Sequence, residues 1–163
     1  MNLPLRVAID TNVLKVANGQ APQASGQCEI ATIEFLEHAE QNCIILIDDL
    51  YQIFDEYKKH CNFSGQPGVG DHFFMYLYRA QADRRRVNTV SIHPDGDGSY
   101  QEVPAALAKF DPSDKKFIAT VIADARNAPV VNAVDSDWSE SKEALQECGV
   151  DVYELCPGCL KST

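Results

Sequence analysis

The sequence predicts an α/β fold, with helices packed on a central, mainly parallel sheet of about five strands. Three observations carry that prediction. Aliphatic runs without alternation, at residues 5–9, 43–47 and 130–134, read as strands buried on both faces. Stretches with apolar residues at helical spacing separate them, which is the order of parallel crossover units. Each run also leads into acids: Asp10 after the first, Asp48 and Asp49 after the second, Asp135 and Asp137 after the third. The carboxyl ends of parallel strands lie along one edge, where open α/β sheets place their ligands.

The bulk properties bound the function. At 163 residues the chain can bury a full core, and we read residues 1–163 as one domain. A net charge of −10 argues against nucleic-acid binding by the whole surface, because phosphate contacts need clustered Lys and Arg. A local basic strip remains compatible with it, and acids that share a divalent ion would lose part of the surplus charge. The N-terminus lacks the apolar segment of a signal peptide, and no aliphatic run is long enough to span a bilayer. The expectation is a cytoplasmic protein with no membrane partner. In that compartment Cys28, Cys43, Cys61, Cys148, Cys156 and Cys159 are expected as reduced thiols. Cys156-Pro157-Gly158-Cys159 has metal-ligand spacing, but no second CxxC or HxxxH completes a zinc site, so a C-terminal turn is expected.

Taken in order, Thr11 and Asn12 can cap a helix carrying Val13, Leu14 and Ala17. After a loop over residues 19–27, Ile30, Ile33, Phe35, Leu36 and Ala39 mark a helix over 28–42. The second strand leads into a helix over 49–60 with Leu50, Ile53, Phe54 and Tyr57 on one stripe. At about 100° per residue Glu56 borders that stripe, on the same flank as Asp49, while Asp55 points away. Residues 64–70 are a glycine-rich connection, not a phosphate loop, because no buried strand precedes them and no Lys-Ser/Thr follows. Asp71 can cap the next helix, which carries Phe73, Phe74 and Leu77 and runs into Arg79, Arg84, Arg85 and Arg86.

Residues 87–92 alternate, as an edge strand does, and 94–99 form a surface turn that lacks the terminal Glu of a calcium loop. Asp111 suits a helix N-cap, Pro112 its first turn, and Asp114 the free N–H groups three residues past the cap. Phe117, Ile118, Val121, Ile122 and Ala125 give that helix its buried face. A helix over 138–148 and a last strand over 150–155 complete the chain.

If the first and fourth strands are neighbours, Asp10 and Asp135 meet. Carboxylates crowded in this way raise each other's pKa unless a hard cation sits between them, which points to magnesium or manganese.

Four pieces occur in one order: Val7-Ala8-Ile9-Asp10-Thr11-Asn12-Val13-Leu14; Asp55-Glu56-Tyr57; Pro112-Ser113-Asp114-Lys115-Lys116-Phe117-Ile118-Ala119; and Val134-Asp135-Ser136-Asp137-Trp138. Together they resemble the PIN domain, a family of metal-dependent nucleases found among toxin–antitoxin toxins and RNA-processing enzymes. The resemblance spans nearly the whole chain, apart from an individual segment at about residues 63–109. It implies a three-layer α/β/α sandwich and an endoribonuclease that hydrolyses RNA phosphodiesters with Mg²⁺ or Mn²⁺. It further implies Asp10, Glu56, Asp114 and Asp135 as the acids of the reaction centre and its metal ligands, with Asp137 as an added ligand or supporting acid. Asn12 would orient a carboxylate or a metal-bound water. Lys58, Arg79, Arg84, Arg85, Lys115 and Lys116 are the candidate phosphate contacts. Partners implied by the family are single-stranded or structured RNA, an inhibitory antitoxin and a second copy of the chain. The alternative is a PIN-like module that binds protein or RNA without cleaving. One departure is Asn132-Ala133, where a Ser or Thr often precedes the acids.

Overall fold

A computed structural model describes residues 3–159, the side chain of Cys159 excepted. Five strands, β1 (Arg6–Ile9), β2 (Ile44–Asp48), β3 (Val87–Val90), β4 (Val130–Asn132) and β5 (Val152–Glu154), form one sheet in the order β3-β2-β1-β4-β5. All four pairings are parallel, with Arg6 opposite Ile44 and Ala8 opposite Val130. The chain builds outward from β1 through β2 to β3, then returns to the other side of β1 with β4 and β5. Strand order therefore reverses between β1 and β4, the position at which such sheets open a crevice beyond their carboxyl ends.

The helices are α1 (Thr11–Ala17), α2 (Gly26–Asn42), α3 (Gln52–His60), α4 (Val69–Ala80), α5 (Lys115–Asp124), α6 (Ser136–Glu140) and α7 (Lys142–Glu147). α1 packs on α2, α3 and α4, α5 runs against β1, β2 and β3, and α6 packs on β5. The arrangement is consistent with a three-layer α/β/α sandwich. Val7, Ala8, Ile9, Ile45 and Leu46 are fully buried in the sheet, Phe117 and Ile118 of α5 close over it, and Phe73 and Phe74 of α4 are buried in the same core, where α4 packs on α1 and α2. Each such large side chain contributes roughly 1.5–3 kcal/mol by leaving water.

Several local expectations are corrected. The cap of α1 is Asp10 itself, whose carboxylate accepts from Asn12 N; Thr11 and Asn12 lie inside the first turn. The cap of α4 is Gly68, and Asp71 sits three residues later, accepting from Gly68 N at 2.9 Å and from Asn18 Nδ2 at 3.0 Å. The glycine-rich connection exists because α4 comes down on α1: a Cβ at Gly70 would stand 2.2 Å from the Leu14 carbonyl oxygen. Ile30 and Leu50, read as core, are exposed, whereas Thr32 is buried and satisfies its hydroxyl on the Cys28 carbonyl at 2.8 Å. The expected helix over 138–148 divides at Ser141 into α6 and α7.

The reduced-thiol expectation fails for two cysteines. Cys28, in the first turn of α2, and Cys156, just after β5, form a disulfide across 128 residues of sequence with Cα atoms 5.2 Å apart. Spacing along the chain carries no sign of that proximity, which arises only when the sheet forms. Cys43, Cys61 and Cys148 are free, and burial pushes the Cys43 thiol up to about 11 and Cys61 to about 12. Residues Pro157–Cys159 form a 3₁₀ turn, as expected, and Cys156 is no metal thiolate while bonded. The Cys159 half of the zinc question lies outside the described side chains. Among the described residues no helix is long and apolar enough to cross a membrane.

Candidate metal centre

Each acid reaches the crevice by a separate route. β1 delivers Asp10, which is 3% exposed, directly at the reversal point. Its Oδ2 accepts from Asn12 N at 2.9 Å and from the Asn12 amide, and its Oδ1 accepts from Trp138 Nε1 at 3.2 Å. Asn12 also donates to Asn132 Oδ1 at 2.9 Å and accepts from the backbone N–H groups of Ala133 and Val134, each at 3.0 Å. One amide thus fixes Asp10 and ties the end of β1 to the end of β4. Asn132, at the departure from the family pattern, accepts from Asp135 N at 3.1 Å and donates to Asp135 O at 2.9 Å, holding the turn that carries Asp135. Asp135 caps α6 by accepting from Asp137 N at 2.9 Å.

Asp114 ends a 3₁₀ turn, Pro112–Asp114, that leads into α5. Asp111 caps the turn as expected, accepting from Ser113 N at 2.9 Å. Asp114 itself makes no capping bond with α5 and is buried. It meets the other two acids: carboxylate oxygens of Asp10, Asp114 and Asp135 lie within 4.8 Å of one another. A second group shares Asp114 with the exposed Asp111 and Asp137 at the same limit.

Electrostatics follow from that crowding. Burial first, then Asp10, Asp135, Asp111 and Glu56, drive the Asp114 carboxyl up to about 9. Burial raises Asp10 to about 6 despite the opposing Asn12 donors, and burial raises Asp135 as well. The three cannot all carry charge at neutral pH unless a cation compensates them.

Glu56 stands differently. Tyr57 anchors α3 by donating its hydroxyl to Ile9 O, the carbonyl just before Asp10. Glu56 then faces the centre, half-buried, while Asp55 is exposed. Its Oε1 accepts from Lys116 Nζ at 2.7 Å and its Oε2 from the Thr11 hydroxyl, and neither acidic group includes it. Asp49 is turned to the end of β3, accepting from Ser91 Oγ at 2.8 Å and Ile92 N at 3.2 Å.

The candidate phosphate contacts do not gather. Arg84 and Arg85 precede β3 and so lie at the opposite edge of the sheet from the acids; Arg85 pairs with Asp83 at 3.2 Å. Arg79 lines a groove of about 490 Å³ with His72, Tyr76 and Arg86, and no member of the acidic centre lines it. Lys58 sits over the Phe63 ring, 5.3 Å from its centroid. Lys115 is buried and gives its ammonium to Ala108 O at 2.7 Å. Lys116 alone reaches the centre, through Glu56.

Thr11, Trp138 and Asn132 were missed as contributors. Trp138 carries a faint signal, being the only tryptophan and following Asp137 directly; the others have none, since their partners are distant in sequence. No protein-family model matches the chain, and neither a curated protein nor a solved structure shows significant similarity to it.

Proposed function

We propose that the chain is a divalent-metal-dependent endoribonuclease whose centre is built on Asp10, Asp114 and Asp135. The observation that carries this reading is the meeting of three carboxylates from three separate elements within 4.8 Å at the strand-order reversal. The donor set suits Mg²⁺ or Mn²⁺: it is all oxygen, and burial together with the neighbouring acids makes its negative charge costly without a cation. When bound, such an ion lowers the pKa of a water and offsets charge on the phosphate under attack.

The protein's own part is positioning. Asn12 and Trp138 hold both oxygens of Asp10, Asn132 holds the turn of Asp135, and the 3₁₀ turn capped by Asp111 presents Asp114. Asp137 joins through its contact with Asp135 and its place in the second acidic group. RNA as substrate, an antitoxin partner and a homodimer belong to the same reading and rest on the resemblance. The Cys28–Cys156 disulfide stands against the expected cytoplasmic location, because reducing compartments keep such pairs open.

Cleavage of labelled RNA tests the reading. Hydrolysis is expected with Mn²⁺, is lost with chelator, and is lost in Asp10→Asn and Asp114→Asn; cleavage that survives unchanged in both variants overturns it. A second reading, a PIN-like module that binds without cleaving, draws on one observation: Arg84 and Arg85 lie at the far edge and Lys115 is buried. It predicts no rise in melting temperature with Mn²⁺, whereas an ion bound only by the native state must raise it.

A further inference from the structure

We propose that Lys116 is the fixed cation of this centre: it holds Glu56 out of the ligand set, so that a divalent ion is bound by the aspartates alone. The inference rests on the metal-centre reading above and deepens it. Lys116 is 8% exposed, and a buried ammonium persists only with close partners. It donates to two acceptors, Glu56 Oε1 at 2.7 Å and the Ser113 carbonyl oxygen, and lies 5.4 Å from the centroid of the Phe117 ring.

Its place is otherwise unfavourable. Lys116 lies in the first turn of α5, where the helix dipole repels a cation. Helix formation therefore gives no reason for the ammonium, and the pair with Glu56 does. The other Glu56 oxygen accepts from the Thr11 hydroxyl, so both oxygens are engaged. Glu56 falls outside both groups of acids whose oxygens lie within 4.8 Å of one another.

The charge balance explains what the pair achieves. Lys116 and Glu56 cancel, leaving Asp10, Asp114 and Asp135 to face one dication with a single negative charge in surplus. In two-metal hydrolytic sites a second ion about 3.5–4 Å from the first clamps the far side of the phosphate. Here the chain itself supplies a cation, on a residue two positions from Asp114 and bonded to Glu56.

Equilibrium dialysis of Mn²⁺ against four proteins tests this: wild type, Lys116→Arg, Lys116→Met, and Lys116→Met combined with Glu56→Gln. The double variant removes a charge-neutral pair, an exchange buried sites tolerate, so it carries the test even where Lys116→Met does not fold. Its Mn²⁺ Kd is expected within about threefold of wild type, because no ligand has gone; a loss of about tenfold or more, the scale of losing a group that supports a metal site, makes Glu56 a ligand and overturns the proposal. Lys116→Met alone frees Glu56 and is expected to tighten Mn²⁺ binding about tenfold, the scale on which neighbouring groups tune metal affinity, while Lys116→Arg keeps the wild-type Kd. Unchanged or weaker binding in Lys116→Met also overturns it. Absence of Mn²⁺ binding in wild type overturns the metal-centre reading itself, which separates that failure from the failure of this inference.

Discussion

β1 and β2 lie side by side, and each ends at a buried aspartate with contrasting surroundings. Asp48 is fully buried, and its oxygens accept from three backbone donors: Leu50 N at 3.2 Å, Gln52 N at 2.9 Å and Ile53 N at 2.9 Å. Those donors come from the turn into α3, which includes Tyr51 in a left-handed conformation (φ 60°), so the carboxylate holds the turn together. Asp10 also takes local donors, but the next groups around it are Asp114 and Asp135. A buried strand-end acid is therefore no mark of a site by itself. Acids that crowd other acids are.

Activity gives the widest separation between the two. Asp114→Asn is expected to lower Mn²⁺-dependent RNA cleavage by about a hundred- to thousandfold, the scale of removing one charge-stabilising group from a reaction centre. Asp48→Asn is expected to keep the activity of its folded fraction. Equal losses in a single-turnover assay on labelled RNA would erase the distinction.

Stability should invert the order. Asp48→Asn leaves backbone donors without their acceptor and is expected to cost about 1–3 kcal/mol in urea unfolding. Asp114 must take up a proton to fold at pH 8, because its folded carboxyl is raised to about 9, so Asp114→Asn removes that cost and is expected to stabilise the metal-free protein there, each 1 kcal/mol corresponding to about 2–4 °C in a chain of this size. A metal-free Asp114→Asn protein that melts below wild type would mean the crowded carboxylates are not under strain.

The pH dependence has a definite sign. Folded Asp114 and Asp10 hold protons up to about 9 and about 6, whereas their ordinary value is 3.8. Between those limits the folded state binds more protons than the unfolded, so stability falls as pH rises. With chelator present, the melting temperature is expected to decline from about pH 4 to pH 9, the window set by those shifts. Saturating Mn²⁺ should flatten the decline. A rise over the same interval would contradict the raised values.

Legibility in the sequence follows the same division. Buried strands announce themselves through unbroken aliphatic runs, so β1, β2 and β4 could be read directly, as could the Asp111 cap and the edge position of β3. Asp10 and Asp135 could be paired on the condition that β1 and β4 are neighbours, which they are. What the pattern hid was long-range or conformational. The Cys28–Cys156 contact, the Lys116–Glu56 pair and the Trp138–Asp10 bond join residues 128, 60 and 128 positions apart. The roles of Gly68 and Gly70 depend on how closely α4 approaches α1. Asp48 and Asp10 look alike as letters because their donors, backbone N–H groups for both and the Asn12 amide and a distant indole for Asp10, are not displayed by composition.

The smallest expected effect probes that indole. Trp138→Phe retains an aromatic ring against Phe110, whose centroid lies 4.9 Å from that of Trp138, but removes the N–H that reaches Asp10 Oδ1. Asp10 keeps its Asn12 donors, so the fold should hold while one oxygen loses its fixed direction. The Mn²⁺ Kd is expected to weaken about tenfold, the lower end for partners that orient a metal-binding carboxylate. An unchanged Kd in a titration at fixed pH would mean that Asn12 alone orients Asp10. The contrast with Asp48 would then rest solely on the neighbouring acids.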